Sequence, residues 1–166
     1  KEVGIIDHPM PKLSHDDHVI IKSLDVGICG TDREICTFVY GDPPQESDYL
    51  VLGHESMGVI EEVGSSVQHL KPGDLVVPSV RRPCVHDHCA PCQADLQDFC
   101  STGHFVERGI KMSHGFMTEY YSEQEKFLNF VPSSLRDVAV LVEPLTIVEK
   151  AMSQVWPTQS RLPWVK

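Results

Sequence analysis

The stretch G-H-E-S-M-G-V-I-E-E-V-G, residues 53–64, carries both a fold signal and a chemical one. Residues 59–63 (VIEEV) read as a β-strand ended by Gly64-Ser65. Just before that strand, His54 and Glu55 follow Gly53 and precede Gly58. An imidazole nitrogen and a carboxylate oxygen are both good zinc ligands. Upstream, residues 18–26 (HVIIKSLDV) form another apolar, β-branched run that reads as a strand, and Cys29-Gly30-Thr31-Asp32 comes directly after it. Cys29 adds a thiolate to the histidine and the glutamate. Three such ligands with one position left open make a catalytic zinc site. In that position the metal acts as a Lewis acid on an alcohol or carbonyl oxygen. A histidine alone is more often a surface or satisfied residue; the Gly-His-Glu setting and the upstream cysteine favour a ligand.

Working outward, residues 42–47 (DPPQES) form a loop, because paired prolines cannot join a sheet interior. Lys71-Pro72-Gly73-Asp74 is a tight turn, residues 75–77 are the next strand, and residues 116–121 are a further one. Short strands between turn signals predict an irregular, β-rich fold. The tail differs. Ser133 or Ser134 is placed to cap a helix over residues 135–141, Pro144 restarts a helix through residues 146–155, and Pro157 stops it. Residues 158–166 read as linker.

A second chemical signal is the run Cys84, Cys89, Cys92 and Cys100, spaced C-x4-C-x2-C-x7-C. Four thiols so close in sequence suit one Zn2+ in a closed tetrahedron, a structural site. His86 stands three residues before Cys89 and rivals Cys84 as a ligand; Cys84 is favoured. Six cysteines also admit a disulfide reading, but the uneven clustering favours metal. Cys36 has no partner motif and reads as a buried or free thiol. His86, His88, His104 and His114 read as loop residues, with His104 and His114 within reach of a substrate cleft.

The chain's 166 residues are enough for one domain with a real core, and its formal charge of −10 disfavours nucleic acid. No apolar stretch approaches the roughly 20 residues of a membrane span, and no signal-peptide core opens the chain, so a cytoplasmic protein is expected.

The pattern G-H-E-x-x-G-x5-G resembles the signature of the zinc-dependent medium-chain alcohol dehydrogenases. The C-G-T-D segment and the four-cysteine lobe stand in that family's order, and K-P-G-D followed by L-V-V-P is similar to its GroES-like domain. Gly30-Thr31-Asp32-Arg33-Glu34, Leu52-Gly53-His54-Glu55, Arg81-Arg82, Val142-Glu143-Pro144-Leu145 and Glu149-Lys150 resemble the glucose dehydrogenase branch. The four-residue first spacing of the cysteine lobe departs from the usual two, and Val80 stands where some glucose dehydrogenases carry Asn.

The resemblance implies a mainly β (β-rich α+β) fold: a GroES-like irregular β-barrel with a few short helices. A C-terminal helix would lead to a Rossmann domain whose G-x-G-x-x-G fingerprint does not occur in this sequence. It implies a zinc-binding catalytic domain over residues 1–150, a structural zinc lobe at about residues 81–104, and a linker over 151–166. Cys29, His54 and Glu55 would surround the catalytic zinc, with Glu55 bound to it or just behind it. Glu143 would add a carboxylate near the metal, Thr31 would relay the substrate proton, and Glu107 would contact sugar hydroxyls. The implied activity is NAD- or NADP-linked oxidation of an aldose or polyol, glucose to gluconolactone first, by a homodimer or homotetramer. This excised catalytic domain, or fragment of a longer enzyme, is expected to bind zinc and to be inactive alone. The competing readings are another zinc alcohol or polyol dehydrogenase, a non-catalytic zinc-binding module, and a zinc-free quinone-oxidoreductase relative. Cys29 and His54 argue against the last of these.

Overall fold

The computed structural model describes residues 2–164. In chain order the strands are β1 (His18–Gly27), β2 (Glu55–Val63), β3 (Leu75–Pro78), β4 (Arg81–Arg82), β5 (Val106–Arg108), β6 (Met112–Ser113), β7 (Tyr120–Gln124) and β8 (Leu128–Val131). The helices are α1 (Gly30–Cys36), α2 (Ala90–Gln93) and α3 (Val142–Gln159), with 3-10 turns at Gln97–Phe99, Glu125–Phe127 and Ser133–Leu141. Five strands make an open sheet in the order β7-β1-β2-β3-β8, and β4-β5-β6 make a small second sheet. The expected mainly β fold with a few short helices is the fold observed.

Alternation in β1 explains the core. Val19 and Ile21 point to one face and meet Ile60, Val76, Phe116 and Tyr121. Burying such side chains contributes about 1.5–3 kcal/mol each. A second cluster of Met57, Val77, Val131 and Ala139 joins β2, β3 and β8 to the 3-10 segment before α3. Between Ile20 and Ile21, and again between Ser23 and Asp25, the β1–β2 register shifts. The two shifts offset each other, one passing over Glu61 of β2 and the other over Leu24 of β1, so both ends of the ladder keep one register and Gly27 lies opposite Glu55.

Three local expectations are altered. The strand expected at 116–121 starts only at Tyr120. Phe116 and Met117 instead donate their backbone N–H groups to the carbonyls of Gly53 and Leu52. Ser133 and Ser134 do not cap a helix: Pro132 precedes the 3-10 segment, and α3 starts at Val142 with Pro144 in its first turn. Pro157 lies inside α3 rather than ending it. The cost of its missing N–H is small there, because the Ser153 carbonyl left without its helical donor lies in the exposed last turns, open to water. The helix crosses residues 150–151 without a break. Lys1 of the expected domain, and Val165 and Lys166 of the expected linker, lie outside the described residues. Among the described residues, no helix is long and apolar enough to cross a membrane.

Candidate metal centres

Cys29 follows β1 by one exposed residue, Ile28, and occupies the N-cap of α1. Its sulfur accepts the Thr31 backbone N–H at 3.3 Å, and the Asp32 carboxylate accepts the Cys29 N–H at 3.0 Å. This is a capping box with cysteine in the serine role and aspartate in the glutamate role. It fixes the direction of the thiol.

His54 reaches the same point from the start of β2. Gly53 turns the chain with φ +88°, and its carbonyl accepts the Phe116 N–H at 2.9 Å. A side chain on Gly53 would collide with Met117 at 2.6 Å. The segment before β2 is thereby clamped to residues 115–117, and His54, 5% exposed, is held with Nε2 3.1 Å from the Cys29 sulfur. Its Nδ1 lies 3.5 Å from Oδ1 of Asp32, which is 2% exposed. Both atoms are buried without another hydrogen-bond partner. A cation on Nε2 would assign the proton to Nδ1 and aim it at that carboxylate, an arrangement that orients ligating histidines. The two orphaned atoms therefore fit a metal at this point.

Glu55 completes the group. The donor atoms of Cys29, His54 and Glu55 all lie within 4.8 Å of one another. Ligands around one zinc stand roughly 3.5 Å apart given metal–ligand bonds of about 2.0–2.3 Å, so small movements suffice. Gly27 makes the space: a Cβ there would stand 2.1 Å from the Glu55 Oε2.

The other expected residues are placed as follows. Glu143 lies in the first turn of α3, half-buried and outside that trio. Burial raises its pKa, His54 acts against the rise, and the Glu55 and Asp32 carboxylates add to it. Thr31 sits beside Cys29, half-buried. Glu107 is buried on β5, where its Oε1 accepts from Arg81 Nε at 3.0 Å and Nη2 at 2.8 Å. Glu107 also ranks after burial among the causes that raise the pKa of Tyr40, a residue on the segment between α1 and β2. Sequence reasoning left Asp32 without a role. Its signal was the three-residue offset from Cys29, the spacing of a capping box.

The second group is the sulfurs of Cys84, Cys89, Cys92 and Cys100, all within 4.8 Å of one another. All six cysteines are free thiols. Cys89 occupies the residue before α2, in which Pro91 shapes the first turn, and Cys100 follows the 3-10 turn Gln97–Phe99. The Ser101 hydroxyl and the backbone at Cys92 draw the Cys89 pKa down to about 5. The Thr102 hydroxyl draws Cys100 down to about 7. Burial, with hydrogen bonding to its cysteine neighbours, pushes Cys92 up to about 12. The pocket thus favours some thiolates and resists a full set, which a tetrahedral Zn2+ would neutralise. His86 is not among these converging atoms; its Nε2 meets His104 Nδ1 at 2.7 Å.

Comparison with known proteins adds relatives of defined chemistry. A glucose 1-dehydrogenase of Methanocella arvoryzae is 45% identical over 159 residues, covering 96% of this chain and 43% of that protein. A solved structure of Haloferax mediterranei glucose dehydrogenase in complex with NADP, Zn and gluconolactone superposes with a TM-score of 0.86 at 35% identity, covering 96% of this chain and 44% of that one. Galactitol-1-phosphate dehydrogenase from Escherichia coli superposes with a TM-score of 0.71 at 27% identity, covering 86% of this chain and 39% of that one. The chain thus spans less than half the length of these relatives. The pattern of the alcohol dehydrogenase GroES-like domain matches residues 15–133, which take in all eight strands and both ligand groups. On that match the chain belongs to the alcohol dehydrogenase GroES-like domain family of the zinc medium-chain dehydrogenases.

Proposed function

We propose that the chain is the catalytic domain of a zinc-dependent, NAD- or NADP-linked dehydrogenase that oxidises an aldose, with glucose to gluconolactone as the first candidate. The convergence of Cys29, His54 and Glu55 carries this reading. Support for the sugar comes from similarity to glucose 1-dehydrogenases. In the proposed domain plan, residues 1–150 form the catalytic domain, with a structural zinc lobe at about 81–104, and residues 151–166 connect to a nucleotide-binding domain. The full enzyme would be a cytoplasmic homodimer or homotetramer.

In this reading Cys29, His54 and Glu55 hold the catalytic zinc, Glu143 adds a carboxylate beside it, and Cys84, Cys89, Cys92 and Cys100 hold the structural zinc. Bound zinc supplies Lewis acidity at the reacting hydroxyl oxygen, and NAD or NADP accepts the hydride. Asp32 keeps the His54 ring in one tautomer and orientation. The Thr31 hydroxyl takes the proton leaving the substrate hydroxyl and passes it toward solvent, so the sugar loses one hydride and one proton. Glu107, oriented by Arg81, accepts from a further sugar hydroxyl and discriminates against substrates lacking it. Without a nucleotide-binding domain the chain alone turns over no sugar.

The test joins this chain to a nucleotide-binding domain and follows NADP reduction with glucose. Activity in the joined protein, its absence in the chain alone and its loss in C29S are expected. Glucose turnover unaffected by C29S would overturn the reading.

A further inference from the structure

Outside both ligand groups, three histidines gather on one side of the cysteine lobe. His86 and His88 lie in the four-residue interval between Cys84 and Cys89, and His104 follows Cys100 by four residues. The His86 Nε2 and the His104 Nδ1 point at each other across 2.7 Å. The His86 ring centroid is 4.9 Å from that of His104 and 5.2 Å from that of His88. His86 is half-buried, while His88 and His104 are exposed. The His104 backbone is anchored, its N–H donating to the Thr102 hydroxyl at 3.3 Å, and that hydroxyl also meets the Cys100 sulfur at 3.3 Å.

We propose that His86 and His104, with His88 at the rim, form an accessory site for a borderline divalent cation of the Zn2+, Ni2+ or Cu2+ class. Two imidazole nitrogens bound to one such ion at about 2.0–2.1 Å stand roughly 2.9–3.4 Å apart, so the pair needs to open by only a few tenths of an ångström. The same kind of approach, nitrogen to donor atom, occurs at 3.1 Å between His54 and Cys29. The His88 ring packs beside His86, but its nitrogens do not converge with the other two, so His86 and His104 supply the donors and water completes the coordination. Imidazole donors select this class of cation over Mg2+ or Ca2+, and a chain of formal charge −10 attracts it. The site uses none of the residues assigned to either zinc above, so it stands or falls separately from the proposed reaction.

The test titrates the zinc-loaded chain with Ni2+ by calorimetry while released zinc is assayed. One Ni2+ bound per chain without zinc release is expected. Affinity should fall in both H86A and H104A by about tenfold or more, since losing a ligand costs no less than losing an outer partner. No Ni2+ uptake, uptake matched by zinc release, or uptake unchanged in both variants overturns the proposal. Zinc content reports whether each variant keeps its lobe; if H86A does not, H104A decides, because it lies outside the cysteine run.

Discussion

Gly27 and Glu55 face each other across the β1–β2 ladder, and the glutamate carboxylate fills the volume that a side chain at position 27 would occupy. The missing Cβ thus directs an acid toward Cys29 and His54. Gly27→Ala is expected to displace Glu55 and to weaken metal binding at the Cys29 group while leaving the cysteine-lobe zinc in place. The overpacking should cost about 1–3 kcal/mol. Zinc content and urea unfolding of the variant check both parts.

Asp32 acts twice, as the acceptor for the Cys29 N–H and as the neighbour of His54 Nδ1. Asp32→Asn should lower zinc affinity at the Cys29 group by about 10–100-fold. Asp32→Ala should in addition lower stability by about 1 kcal/mol through the lost cap interaction. Competition with a chromophoric chelator measures the first effect, and denaturant midpoints measure the second.

The cysteine lobe separates two candidate ligands. Cys84→Ala should release one zinc and lower the melting temperature, because three sulfurs no longer close the tetrahedron. His86→Ala should retain that zinc. Metal analysis of the two purified variants distinguishes them.

Glu125 gives a pH-dependent test away from both metals. Burial opposes its charge, but the backbone N–H groups of His69, Gln68 and Leu70 outweigh burial and hold its pKa below the ordinary 4.5. A group whose pKa is depressed on folding stabilises above its unfolded value and loses that contribution as pH falls through the folded value. Glu125→Gln should therefore unfold at lower urea than the parent at neutral pH, with the gap closing as pH falls below about 4.5. A gap constant from pH 7 to pH 3 would contradict this.

How much of this was legible in the sequence depends on the range of the contacts involved. β1, β3 and the second half of β2 were legible because β-branched residues and turn glycines act locally, while the start of β2 at Glu55 was not. The Cys29, His54, Glu55 and four-cysteine signals lay in short motifs. Phe116 and Met117 look like strand residues, yet their N–H groups go to Gly53 and Leu52, a pairing across more than sixty residues that propensity does not carry. The role of Gly27 follows from its place opposite Glu55 in the β1–β2 ladder, a register that composition does not reveal. Pro157 reads as a stop, but in the exposed last turn of α3 the loss of one helical hydrogen bond is tolerated.

The central claim is that one GroES-like domain carries two separate zinc sites, one of them built on Cys29. Zinc per chain, measured on the parent and on Cys29→Ser after dialysis against imidazole to strip weakly held metal, tests it most directly. The account predicts two zinc ions in the parent and one in the variant. A single zinc, unchanged by Cys29→Ser, would contradict it.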